Sequence, residues 1–110
     1  MIQNLTPVQA QELMARGELD VVDVREDAEW AGGRLPGSRR VPLGRLRDKL
    51  ASELTRDGII FVCAAGVRSL LAARLAERAG FKQVFNLAGG TRAWSTAGLP
   101  LVRDTSSAAA

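Results

Sequence analysis

The chain has 110 residues, 46% of them hydrophobic and 25% charged, which suits one globular core and leaves little room for a second. Lysine and arginine total 15 against 12 acids, a net charge of +3, and the basic residues are scattered among only five aromatics, without the basic stripe and stacking platform of a nucleic-acid binder. A single cysteine excludes an internal disulfide or thiolate metal cluster, and the absence of histidine removes every Cys-His and Ser-His-Asp mechanism.

From the start, Met1-Ile2-Gln3 opens no charged region followed by an apolar run, so no secretory leader is expected. No apolar stretch approaches the roughly 20 residues that span a bilayer. These features predict a soluble, cytoplasmic chain with neither membrane nor nucleic acid as partner. Residues 2–5 form a weak opening strand. Thr6 then caps a helix with Pro7 at its first position, where a missing N–H costs nothing. Ala10, Leu13 and Met14 share one face of that helix, which should stop near Gly17. Residues 20–24 read as a buried strand, followed by a short helix through Ala28 and Trp30. Gly32-Gly33 and Pro36-Gly37 signal turns, and residues 40–42 a brief strand. Residues 43–54 carry Leu43, Leu46, Leu50 and Leu54 on one helical face.

The run Gly58-Ile59-Ile60-Phe61-Val62 is continuously apolar and rich in β-branched residues, as in a strand covered on both faces at the centre of a parallel sheet. Residues 69–79 form an alanine- and leucine-rich helix closed by Gly80. Residues 83–87 make a fifth strand, and Gly89-Gly90 leads into a last short helix around Arg92, Ala93 and Trp94. Residues 1–103 are expected to form the single domain. Residues 104–110, polar and alanine-only, are expected to be a disordered tail. Alternating strands and helices imply a three-layer α/β/α domain with a mostly parallel sheet, whose ligands sit beyond the carboxyl ends of the strands.

Cys63 stands at that position. The loop Cys63-Ala64-Ala65-Gly66-Val67-Arg68 joins the central strand to the following helix. Unpaired backbone N–H groups and the positive end of a helix both stabilise a thiolate, lowering its pKa below the free value of roughly 8.5. Gly66 permits a positive φ that turns amides inward, and Arg68 adds a cation beside the sulfur. The alternative is an inert cysteine ending a core strand, since free cysteine is among the most buried residue types.

The loop CAAGVRS resembles the CxxGxRS active-site loop of the single-domain rhodanese (thiosulfate sulfurtransferase) family. Asp23-Val24-Arg25-Glu26 with Glu29-Trp30 is similar to that family's DVRxxxEW signature. Gly33-Arg34-Leu35-Pro36-Gly37-Ser38 is similar to its GHIPGA segment, with Val41-Pro42-Leu43 after it. Gly80-Phe81 and Leu87-Ala88-Gly89-Gly90-Thr91-Arg92-Ala93-Trp94 are similar to its GF and LxGGxxAW elements, so the likeness covers about residues 20 to 100. The resemblance implies five parallel strands ordered 1-5-4-2-3, with Cys63 after the central one. It also implies a double displacement without a cofactor. A sulfane sulfur passes from a small sulfur-containing anion such as thiosulfate to Cys63, and from its persulfide to a thiophilic acceptor: cyanide, a thiol or a protein. Ala64, Ala65, Gly66 and Val67 with Arg68 would form the cradle, their amides holding the terminal sulfur. Such chemistry needs no histidine, because a preformed thiolate needs no base and sulfite leaves as a stable anion. The one departure is Arg34, where the family has a histidine. Small uncharged loop side chains leave donor recognition to amides and Arg68, so polysulfide or a protein persulfide stays open as donor.

The remaining polar residues have simpler readings. Asp23 and Arg25 form a structural ion pair with neighbours such as Glu29, or support the loop from behind. Gly89-Gly90 is a turn rather than a phosphate loop, and Trp30 and Trp94 are packing residues. Arg39-Arg40 is solvated, or a basic rim for an acidic partner protein. A cysteine-dependent phosphatase would carry the longer C-x5-R loop, whereas four residues separate Cys63 from Arg68. A protein-to-protein persulfide carrier and a non-catalytic interaction module complete the alternatives.

Overall fold

The computed structural model describes residues 1–103; the expected tail at 104–110 lies outside them. The elements in chain order are β1 (Gln3–Leu5), α1 (Pro7–Ala15), β2 (Asp20–Asp23), α2 (Asp27–Ala31), β3 (Arg39–Arg40), α3 (Leu43–Glu53), β4 (Ile59–Val62), α4 (Arg68–Arg78), β5 (Val84–Leu87) and α5 (Gly90–Thr96). The five strands form one parallel sheet ordered β1-β5-β4-β2-β3. That is the order implied by the resemblance.

The apolar run at 59–62 becomes the central strand because each of its four side chains has a covered face to enter. Ile59, Ile60, Phe61 and Val62 are all fully buried. Ile59 and Phe61 pack with Val22, Leu46, Ala72, Ala73 and Ala76 on the α3–α4 side. Ile60 and Val62 pack with Ala10, Leu87 and Trp94 on the α1–α5 side. The two-residue period of a strand therefore carries Cys63, next in line, onto the α4 side.

Local signals placed most boundaries. Thr6 Oγ1 accepts from the Gln9 amide at 3.2 Å, and Gln9 Oε1 accepts from the Thr6 amide at 3.0 Å. The capping box thus answers two orphan donors at the start of α1. Gly80, at φ 104, follows the last turn of α4. The helix expected at 43–54 is present as α3, with a kink at Lys49, which has φ −131 and ψ 38. The leucine spacing does not register this break, and the Ser52 hydroxyl closes the local turn by donating to the Lys49 carbonyl at 3.0 Å. No helix of the described residues is long and apolar enough to cross a membrane.

Candidate active site

Cys63 directly follows the central strand and is 1% exposed. Its Sγ accepts a hydrogen bond from the Gly66 amide at 3.1 Å and lies 3.2 Å from the Ser69 hydroxyl. Burial alone would push the thiol pKa up. The Ser69 hydroxyl and the amides of Ser69, Gly66 and Ala65 outweigh it, and the net result is a thiol held below its ordinary value. Ser69 occupies the second position of α4, so the sulfur sits at that helix's N-terminus. The loop backbone follows from Gly66, whose φ of +95 no other residue adopts without strain, and where a Cβ would meet the Gly89 amide at 3.1 Å.

The Gly89-Gly90 turn does more than connect β5 to α5. The Thr91 amide donates to the Cys63 carbonyl at 2.8 Å and the Arg92 amide to the Ala64 carbonyl at 3.1 Å. These bonds tie the first two carbonyls of the loop to the start of α5. Such contact requires the absence of a side chain: a Cβ on Gly90 would lie 2.2 Å from the Cys63 carbonyl oxygen. Asn86 of β5, 3% exposed, adds a tether by donating to Asn4 Oδ1 at 3.0 Å and to the Gly66 carbonyl at 3.4 Å.

Arg68 is not the lone cation its position suggested. Its Nη1 and Nη2 donate to Glu29 Oε1 and Oε2 at 2.8 and 2.9 Å. The Arg68 hydrogen bond in turn lowers the Glu29 carboxyl to about 2, against a smaller opposing effect of burial. Arg68 holds its proton more tightly than usual, first through Glu29 and less through attraction to Cys63 and Asp23. Asp23 and Arg25 do form a buried ion pair, but with each other. Arg25 Nη2 reaches Asp23 Oδ2 at 2.8 Å and the Gly33 carbonyl at 2.7 Å. Glu29 was expected among their partners and instead spans to Arg68, because α2 presents it to the start of α4. No hydrogen bond joins Asp23 or Arg25 to Cys63, and Arg25 bears on Glu29, as Asp23 does on Arg68, only as a weak attraction, the smallest of the effects there.

The loop side chains divide by depth. Ala64 and Gly66 are half-buried, while Ala65 and Val67 are exposed at the rim. The basic rim suggested for Arg39-Arg40 is largely neutralised. Arg39 pairs with Asp20 at 2.8 Å and donates to the Glu53 carbonyl, and Arg40 lies 3.6 Å from Asp27. Trp94 is a core residue at 1% exposure, whereas Trp30 is half-buried with the Arg34 guanidinium 4.6 Å from its ring centroid. Sequence reasoning passed over three residues that touch or steer the site: Ser69, Glu29 and Gly90. All three stand inside the motifs CAAGVRS, DVRxxxEW and LxGGxxAW, which was the available signal.

Comparison with known proteins gives a consistent outcome. Residues 6–97 match the family model described as Rhodanese-like domain. A Bacillus subtilis protein provisionally named sulfur carrier protein YrkF is 41% identical over 78 residues, which are 70% of this chain but only 42% of that protein. A sulfurtransferase of Allochromatium vinosum is 33% identical over 94 residues, covering 84% of this chain and 87% of its own. The crystal structure of a rhodanese-related protein from Thermoplasma volcanium superposes with a TM-score of 0.84 at 28% identity, over 93% of this chain and 99% of that one.

Proposed function

The chain belongs to the rhodanese-like domain family, and from that premise we propose that it is a sulfurtransferase working through a Cys63 persulfide. The carrying observation is the buried sole thiol, hydrogen-bonded by Gly66 and Ser69 at the N-terminus of α4 and held below its ordinary pKa. The Cys63 thiolate attacks the outer sulfur of a sulfane donor such as thiosulfate. The donor's sulfur–sulfur bond breaks and sulfite departs with the electron pair. The acceptor, cyanide or a thiol, then attacks the outer sulfur of the persulfide and returns Cys63 as thiolate. Covalent catalysis thus divides one transfer into two.

Each step places negative charge on sulfur inside the loop, where the Ser69 hydroxyl and the amides of Ser69, Gly66 and Ala65 already point. With no second cysteine in the chain, the persulfide must discharge to an external acceptor. Because Cys63 is 1% exposed, a donor has to deliver its outer sulfur into the loop rather than meet the thiol at the surface. The loop is one residue shorter than C-x5-R, so it favours a single sulfur over a tetrahedral phosphate.

Thiocyanate formation from thiosulfate and cyanide tests this reading. Turnover is expected from the wild type and none from Cys63→Ser. Equal turnover by both proteins overturns it. Turnover seen only with a protein persulfide as donor would identify a dedicated carrier within the same chemistry.

A further inference from the structure

Arg68 is the cation of the loop itself, yet its guanidinium is already occupied by the two oxygens of Glu29 at 2.8 and 2.9 Å. The pair is at the rim, with side chains 36% and 35% exposed, so an arriving solute meets it as a unit. The other side chains of the loop carry no charge: Ala64, Ala65 and Val67 are apolar, and Val67 is 69% exposed. A free Arg68 would attract a dianion more strongly than a monoanion in proportion to charge. Paired, it offers a dipole instead of a charge.

We propose that Glu29 is a specificity-determining residue, cancelling the Arg68 charge at the loop mouth and thereby favouring sulfane donors with one negative charge over dianionic thiosulfate. The inference rests on the sulfur-transfer reading and names its donor class. Thiosulfate and methanethiosulfonate isolate the charge. Both load Cys63 by the same step, in which a bond forms to the outer sulfur and the bond behind it breaks. The leaving group takes the electron pair as sulfite in one case and methanesulfinate in the other. The two donors differ by one unit of charge.

The experiment measures kcat/KM for both donors with cyanide as acceptor, at low and at high salt. Glu29→Gln keeps an oxygen for the Glu26 amide, which Glu29 accepts at 3.1 Å, but removes the negative charge. It should raise the thiosulfate-to-methanethiosulfonate ratio about threefold to tenfold at low salt, and the gain should shrink at molar salt. Glu29→Ser should shift the ratio the same way. Arg68→Ala alone, which leaves the Glu29 charge uncompensated, should lower the ratio, and adding Glu29→Gln should return it to about the wild-type value. If Glu29 only braces the loop, both donors slow together and the ratio stays at the wild-type value, which overturns the proposal. Intact mass separates the two failures. Persulfide loading with an unchanged ratio sinks the role of Glu29 alone; no loading of the wild type by either donor overturns the donor preference, and failure of polysulfide and a protein persulfide as well sinks the sulfur-transfer reading beneath it.

Discussion

Ser69→Ala removes one hydroxyl beside the thiol and leaves its burial unchanged. Ser69 is fully buried with Oγ 3.2 Å from Cys63 Sγ, and this hydroxyl is the strongest of the groups that lower the thiol pKa against burial. A hydrogen bond to a charged group contributes about 1.5–3 kcal/mol, and one pKa unit corresponds to about 1.4 kcal/mol. The amides of Ser69, Gly66 and Ala65 remain to take up part of the loss. The lower end of the range therefore applies, and the thiol pKa should rise by about one unit. Alkylation by iodoacetamide across pH reads this directly. At pH below both inflections the thiolate fraction falls about tenfold. Intrinsic nucleophilicity rises about threefold with the higher pKa, so the net rate should drop about threefold. On the alkaline plateau the order inverts, and the variant should react about threefold faster. An unchanged inflection, in protein with an unchanged melting temperature, would refute the assignment of the hydroxyl as the principal thiolate donor.

Two further outcomes follow from the same geometry. Gly90→Ala places a Cβ 2.2 Å from the Cys63 carbonyl oxygen at φ +61; backbone strain of about 1 kcal/mol and two lost amide bonds of about 1 kcal/mol each give about 3 kcal/mol of destabilisation in urea unfolding. Gly17→Ala, at φ +71 in open space, should cost only the strain, and equal losses at the two sites would contradict the packing role of Gly90. Glu29 is held at about 2 by Arg68, below its unfolded value of about 4.3, so its contribution is complete above the unfolded value and disappears as pH falls towards the folded one. With the pair one-third exposed, screening reduces this to about 1 kcal/mol. Unfolding free energies measured from about pH 5 to about pH 2 should fall about 1 kcal/mol further in the wild type than in Glu29→Gln, and parallel curves would contradict the strength of the pair.

The sequence was most legible where the cause is local. Thr6, Pro7 and Gly80 mark helix ends through bonds within a few residues, and the β-branched run at 59–62 announces a strand covered on both faces. Cys63 and the positive φ of Gly66 were readable for the same reason. Partnerships across the chain were not. Glu29 and Arg68 are 39 residues apart, and nothing at either position indicates that α2 will face the start of α4. Asp23 and Arg25 were expected to pair with neighbours such as Glu29, and composition could not tell which carboxylate would win. Arg25 takes the one fixed beside it at the strand end, which leaves Glu29 free for Arg68. Arg39-Arg40 read as solvated or as a basic rim because Asp20, Glu53 and Asp27 approach only in three dimensions. Gly89-Gly90 was legible as a turn, whereas its seat against the Cys63 and Ala64 carbonyls depends on β5 lying beside β4.

The covalent intermediate is the central claim, and intact-protein mass tests it most directly. Cys63 is the sole thiol of the chain, so a stable sulfane adduct has one place to form. Reduced protein incubated with thiosulfate, polysulfide or a persulfidated protein donor, then freed of small molecules, should be heavier by one sulfur atom. Cyanide or excess thiol should discharge that mass, and Cys63→Ser should never acquire it. A wild-type protein that is folded and reduced yet gains no sulfur from any of the three donors would contradict the account.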